Sequence, residues 1–91
     1  MAKIIIPTPL RKFTSNQAAV AVQSGTVIES IRDLTLQFPD LDKHLFNEDQ
    51  QLRGFVRVFI GEDDIEDLQG HDTPVQQGDT ISIIPAIAGG I

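Results

Sequence analysis

Apolar and polar positions along this chain fall into short blocks, each with its own period. Lys3 opens the continuous apolar run Ile4-Ile5-Ile6, which Pro7 closes. That pattern suits a central strand with a neighbour on each side. Pro7-Thr8-Pro9 breaks the run. Leu10-Arg11-Lys12-Phe13 leads into the polar turn Thr14-Ser15-Asn16-Gln17, and Ala18 to Val22 supplies a second strand. Residues 3 to 22 therefore predict a hairpin with a wide loop.

After the turn Gln23-Ser24-Gly25 the period changes. Val27, Ile31, Leu34 and Phe38 fall at i, i+4, i+7 and i+11, one apolar stripe on a helix of about three turns. Thr26 and Glu29 have the spacing of a capping box at its start. Pro39 ends it, because the residue before proline avoids the helical region. Leu41 and Leu45 predict one more short helical turn. Asn47 to Gln51 is a solvated loop, and Phe55 to Ile60 is a third strand with Arg57 set among apolar neighbours. Gly61-Glu62-Asp63-Asp64 is expected to turn. Ile65 and Leu68 pin a short helical turn, and Gly70 to Pro74 is irregular. Gln77-Gly78-Asp79 then turns into the last strand, Thr80 to Ile84, and Pro85 stops it because it has no N–H to donate.

The order is strand, strand, helix, strand, irregular segment, strand. A first and last strand that are both apolar fit side by side and parallel in mid-sheet, with the helix across one face. The expectation is an α+β fold of the β-grasp, or ubiquitin-like, type: a mixed sheet with one main helix. At 91 residues the chain is expected to form a single domain, 1–91, with a flexible C-terminal tail over 86–91.

Composition narrows the function. A net charge of −6 opposes binding to phosphate-rich nucleic acid. The chain has no cysteine, hence no thiolate nucleophile and no disulfide framework. No apolar run reaches the length that spans a bilayer, and the start, Met1 to Pro7, is too short and too quickly polar for a signal peptide. A cytoplasmic protein is expected, with neither nucleic acid nor membrane as partner. His44 and His71 stand apart without metal-ligand spacing. Glu62 to Asp67 is acidic but lacks the spacing of a calcium loop. No glycine-rich phosphate loop occurs. Neither a cofactor nor a catalytic constellation of its own is expected.

Residues 86–91, Ala-Ile-Ala-Gly-Gly-Ile, carry no charged side chain. Gly89-Gly90 can pass where no side chain fits. Paired glycines are also what ordinary terminal fraying leaves, and it is the fold ahead of them that favours a working tail. Its reactive group is a terminal carboxylate. A carboxylate is a poor acyl donor, since oxide would have to leave. Transfer to AMP makes a mixed anhydride that a sulfur nucleophile can attack, and that needs a separate enzyme holding ATP and magnesium.

The ending "GDTISIIPAIAGG" resembles the signature of the ubiquitin-like sulfur carriers of the MoaD/ThiS group. There Gly-Asp precedes a last strand, proline follows it, and Gly-Gly closes the protein. The start "IIIPTPLRKFT", the helix opened by Thr26-Val27 and the strand "RGFVRVFI" match in order, so the resemblance covers essentially the whole chain. It is nearest to the branch that supplies sulfur to a PLP-dependent cysteine synthase in cysteine biosynthesis. Next is the small subunit of molybdopterin synthase, of molybdenum cofactor biosynthesis.

The resemblance implies a protein substrate rather than an enzyme. An E1-like adenylating enzyme activates the Gly90 carboxylate, sulfur replaces an oxygen to give a thiocarboxylate, and an acceptor takes that sulfur. The acceptor is the cysteine synthase or the molybdopterin synthase large subunit. Gly89 and Ala88 become the channel-fitting residues. Phe59, Ile83, Ile84, Pro85 and Ile87 become candidates for partner docking, although Ile83 and Ile84 fit ordinary sheet core equally well. One departure stands out. Ile91 follows Gly90, and a β-branched side chain does not fit a slot shaped for glycine. Trimming by a JAMM-type metalloprotease is therefore implied. A ubiquitin-like modifier joined to lysines, or a plain interaction module, is the alternative of a different class.

Overall fold

The computed structural model describes residues 1–23, 25–54 and 56–85. The expected tail, with Ile87, Ala88, Gly89, Gly90 and Ile91, lies outside the described residues, as do Ser24 and Phe55.

Among the described residues, seven strands and two α-helices follow in the order β1 (Ala2–Ile5), β2 (Ala19–Val22), β3 (Gly25–Thr26), α1 (Val27–Gln37), α2 (Asp42–Leu45), β4 (Val56–Ile60), β5 (Asp63–Asp64), β6 (Pro74–Val75) and β7 (Thr80–Pro85). Five strands form one sheet in the order β2-β1-β7-β4-β5, and β3 pairs with β6 in a separate small sheet. β1 and β7 run parallel at the centre, with Ile4 opposite Ile81. β2 flanks β1 antiparallel, and β4 flanks β7 antiparallel. This is the β-grasp arrangement that the apolar first and last strands predict.

α1 starts where the sequence requires. Thr26 Oγ1 accepts from the Glu29 amide at 3.3 Å, while Glu29 Oε1 accepts from the Thr26 amide at 3.1 Å. Two otherwise orphaned donors are satisfied together. Val27, Ile31 and Leu34 are fully buried and share one core with Ile4, Val22, Val58 and Ile81. The buried Ser30 hydroxyl donates to the Gln23 carbonyl at 2.7 Å, so its polarity is satisfied. Phe38 is only half-buried, and its amide donates to the Leu34 carbonyl as the helix ends. A 3-10 turn over Pro39–Leu41 leads into α2; Leu41 at the end of the turn and Leu45 at the end of α2 are both buried.

The structure corrects three local expectations. The wide loop after β1 is ordered as a 3-10 helix over Thr8–Phe13, with Leu10 buried. Below it the buried Thr14 hydroxyl serves the carbonyls of Arg11 and Gln17. Asp63-Asp64 is not a turn but a short strand, with Asp64 opposite Phe59. Gly61, at φ +59°, makes the turn instead. The irregular stretch near Pro74 contains β6, which holds Gly25 opposite Val75 and so ties the start of α1 to the segment before β7. Each pairing is only two residues long and is set by distant partners, so no local period announces it.

Candidate functional site: the strand that leads to Pro85

β7 is the element that positions the candidate site. It lies between β1 and β4, so both its edges are paired. Successive side chains of a strand point to opposite faces. Ile81 and Ile83 turn toward α1 and are buried, with Ile83 only 3% exposed. Ser82 and Ile84 turn to the outer face, and Ile84 is 50% exposed. Pro85, half-buried, is opposite Val56 at the end of the pairing.

The five docking candidates therefore separate. Phe59 is opposite Ser82 and shares the outer face with Ile84, which is opposite Arg57. Ile83 is opposite the buried Val58 and packs in the core. The docking role expected for the Ile83 side chain is thus corrected: it is spent on burial, which for an isoleucine stabilises the fold by roughly 2–3 kcal/mol. Ile87, like Ala88, Gly89, Gly90 and Ile91, lies outside the described residues.

The register adds residues that the sequence reading missed. Ile5 is opposite Ser82 on the other side of β7, so half-buried Ile5 and Phe59 flank the small Ser82 on the outer face. Treating residues 3 to 6 as one continuous apolar run hid this. Lys3 exposed against buried Ile4 is the alternation that could have revealed it. The second addition is the ion pair of Arg57 with Asp64, across β4 and β5. The Arg57 hydrogen bond and the Glu66 amide hold the Asp64 carboxyl below the usual carboxylate range, and the same bond raises Arg57. The outer face is thus a modest apolar strip, Ile5, Phe59 and Ile84, edged by one fixed ion pair.

No group of three or more His, Asp or Glu side chains that could hold a metal occurs among the described residues. His71 is exposed, and Thr35, the hydroxyl beside the open groove that Arg32, Leu36 and Pro39 line, is engaged with the Arg32 carbonyl at 2.9 Å. Among the described residues the arrangement offers a surface and a strand end.

Known proteins share this architecture. The ThiS family model matches residues 4–90. The sulfur carrier protein CysO of Mycobacterium tuberculosis is 30% identical over 89 residues, 96% of each chain. A putative sulfur carrier protein of Archaeoglobus fulgidus is 35% identical over 51 residues, 56% of this chain and 57% of that one. Among solved structures, the Amycolatopsis orientalis BexX/CysO complex contains a chain that superposes with a TM-score of 0.87 at 32% identity, covering 99% of this chain and 100% of that one. The small archaeal modifier protein 1 of Methanosarcina acetivorans superposes at 0.88 with 24% identity over 98% of this chain and 95% of that one, a likeness of fold. With a match that runs through all but the outermost residues, this chain belongs to the ThiS family.

Proposed function

We propose that this chain is a sulfur carrier serving cysteine biosynthesis, working in the cytoplasm as a protein co-substrate. Ile91 is first removed by a metalloprotease of the JAMM type. An E1-like enzyme then joins the Gly90 carboxylate to AMP, releasing pyrophosphate from ATP. A sulfur nucleophile displaces AMP and leaves a thiocarboxylate on Gly90. On a PLP-dependent cysteine synthase the sulfur bonds to the amino-acid substrate. Water then cleaves the acyl–sulfur link, which frees the sulfur with its new carbon and returns the Gly90 carboxylate for another cycle. The chain supplies the acyl group and the surface by which the enzymes hold it; the catalytic groups are theirs.

One observation carries this reading. The family match ends at residue 90, so Gly89 and Gly90 fall inside the shared pattern and Ile91 falls outside it. The geometry supports it. β7 is held on both edges, which gives residues 86–91 a rigid base. Glycine at 89 and 90, with small Ala88, suits a narrow channel. Phe59, Ile84 and Pro85, joined by Ile87, form the proposed docking strip. That a carrier at 32% identity was solved in complex with a second protein supports docking onto a partner here too.

Reconstitution tests the reading. Trimmed protein is incubated with the activating enzyme, ATP and sulfide, then offered either to the cysteine synthase or to the molybdopterin synthase large subunit. Cysteine formation is expected with the first and no sulfur transfer with the second. Gly90→Ala should abolish product. Transfer to molybdopterin synthase would move the chain to the other pathway. A silent Gly90→Ala, or abundant isopeptide adducts on lysines in place of sulfur transfer, would overturn the carrier reading.

A further inference from the structure

Thirteen acidic side chains outnumber seven basic ones in this chain, so carboxylates are plentiful. Among the described residues, only Arg57 is placed in an ion pair. Three other cations gather without one. Lys12 sits on the turn Thr8–Phe13, Lys43 on α2, and Arg53 on the segment entering β4. Lys12 Nζ stands 5.3 Å from the centre of the Phe13 ring. Phe13 stacks on His44 with ring centres 4.4 Å apart. Arg53 Nε donates to the Lys43 carbonyl at 2.9 Å, which holds the third cation against the second. His44 lies among them. Burial first, then Lys43, Lys12 and Arg53, lower its affinity for a proton, and Asp40 alone opposes them. Its Nε2 is buried and has no hydrogen-bond partner.

This cluster is placed at the end of the sheet that matters. The Arg53 amide donates to the Leu45 carbonyl, and the Arg53 carbonyl accepts from the Val56 amide. Val56 is opposite Pro85. The turn carrying Lys12 leaves β1 at the same end, because β1 and β7 run parallel. Like charges held together repel one another, and a buried nitrogen without a partner is costly. Both are unfavourable in the free protein, and an anion placed against the three cations relieves the repulsion.

We propose that Lys12, Lys43 and Arg53 form a docking site for a carboxylate-rich segment of a partner protein, seating that partner beside the strand end that carries Pro85. The site deepens the sulfur-carrier reading by giving the chemistry of the partner's surface, and it rests on that reading only for which partner it is. Lys12 and Lys43 are exposed and Arg53 is half-buried, so their charges are reachable. Carboxylates linked along one peptide can meet Lys12, Lys43 and Arg53 together, whereas a phosphate supplies a single anionic group.

The test uses the full chain, labelled with nitrogen-15, titrated with a hexaglutamate peptide, with inorganic phosphate at matched ionic strength, and with a hexalysine peptide. Hexaglutamate should shift the signals of Lys12, Phe13, Lys43, His44 and Arg53 and move the His44 titration to higher pH. Binding should weaken about tenfold in the K12Q/K43Q/R53Q variant, as for loss of several weak charge contacts. The K12E/K43E variant keeps the Arg53 bond to the Lys43 carbonyl and should weaken binding at least as much. Shifts spread elsewhere, or indifferent to both variants, would overturn the proposal. Phosphate binding as tightly as the peptide would also overturn it, in favour of a small-anion site. No step uses ATP, sulfide or an activating enzyme, so failure here leaves the Gly90 chemistry standing, and failure of the Gly90 chemistry leaves this result readable.

Discussion

Gly25 has φ +148°, and a Cβ built there would come within 2.8 Å of Glu29 Oε1. That oxygen closes the capping box on the Thr26 amide. Gly25→Ala should therefore both strain the backbone and dislodge the cap, costing about 1–2 kcal/mol, measured as a lower urea midpoint with an unchanged slope. His44 makes a second prediction. Its folded-state proton affinity is lowered from the usual 6.5, so the unfolded chain takes up the proton at higher pH. Stability should then fall as pH drops below about 6.5 and level off once the folded form is protonated as well. His44→Gln should flatten that part of a plot of melting temperature against pH. At this scale the capping box was legible because Thr26 and Glu29 are neighbours in sequence. The faces of Ile83 and Ile84 were not separated, although Ile81-Ser82-Ile83 already gave the phase. The stack of Phe13 on His44 joins residues far apart in sequence and left no local sign.

Among the elements, α1 was the most legible. Its stripe holds over three turns and its cap is local, so propensity and burial point the same way. Leu34 is fully buried and Leu36 is 79% exposed. Leu34→Ala should cost about 2–5 kcal/mol, while Leu36→Ala should stay within about 0.5 kcal/mol, both by denaturant unfolding. β5 and β6 were illegible. Asp63, Asp64 and Pro74 have poor strand propensity, and a lone Val75 makes no pattern, so both strands pair only because β4 and β3 are brought to them. The Arg57–Asp64 ion pair further secures β5. The 3-10 helix Thr8–Phe13 was hidden for a different reason: two prolines at its start suggested a break, yet proline is also at home in the first turn of a helix.

For the whole molecule, the sheet order followed from two apolar strands at opposite ends of the sequence that had to be neighbours. What remained open was which side of β7 faces outward. With the register known, Ile84→Asp places a charge on a half-exposed outer-face position. It should weaken partner binding, about tenfold or more by calorimetry, with little change in melting temperature. Ile83→Asp places the same charge in the core and should prevent folding. Equal loss of binding by an Ile84→Ala variant and by one altered only on the α1 face would place docking elsewhere.

In the proposed cycle another enzyme charges this chain at Gly90 once Ile91 is gone. Intact-mass measurement tests it most directly, after incubation with ATP, sulfide, the activating enzyme and the trimming protease, each omitted in turn. The expected product has lost isoleucine and exchanged one oxygen for sulfur, and it forms only when all are present. An unchanged mass, or full sulfur-transfer activity from protein that still carries Ile91, would contradict it.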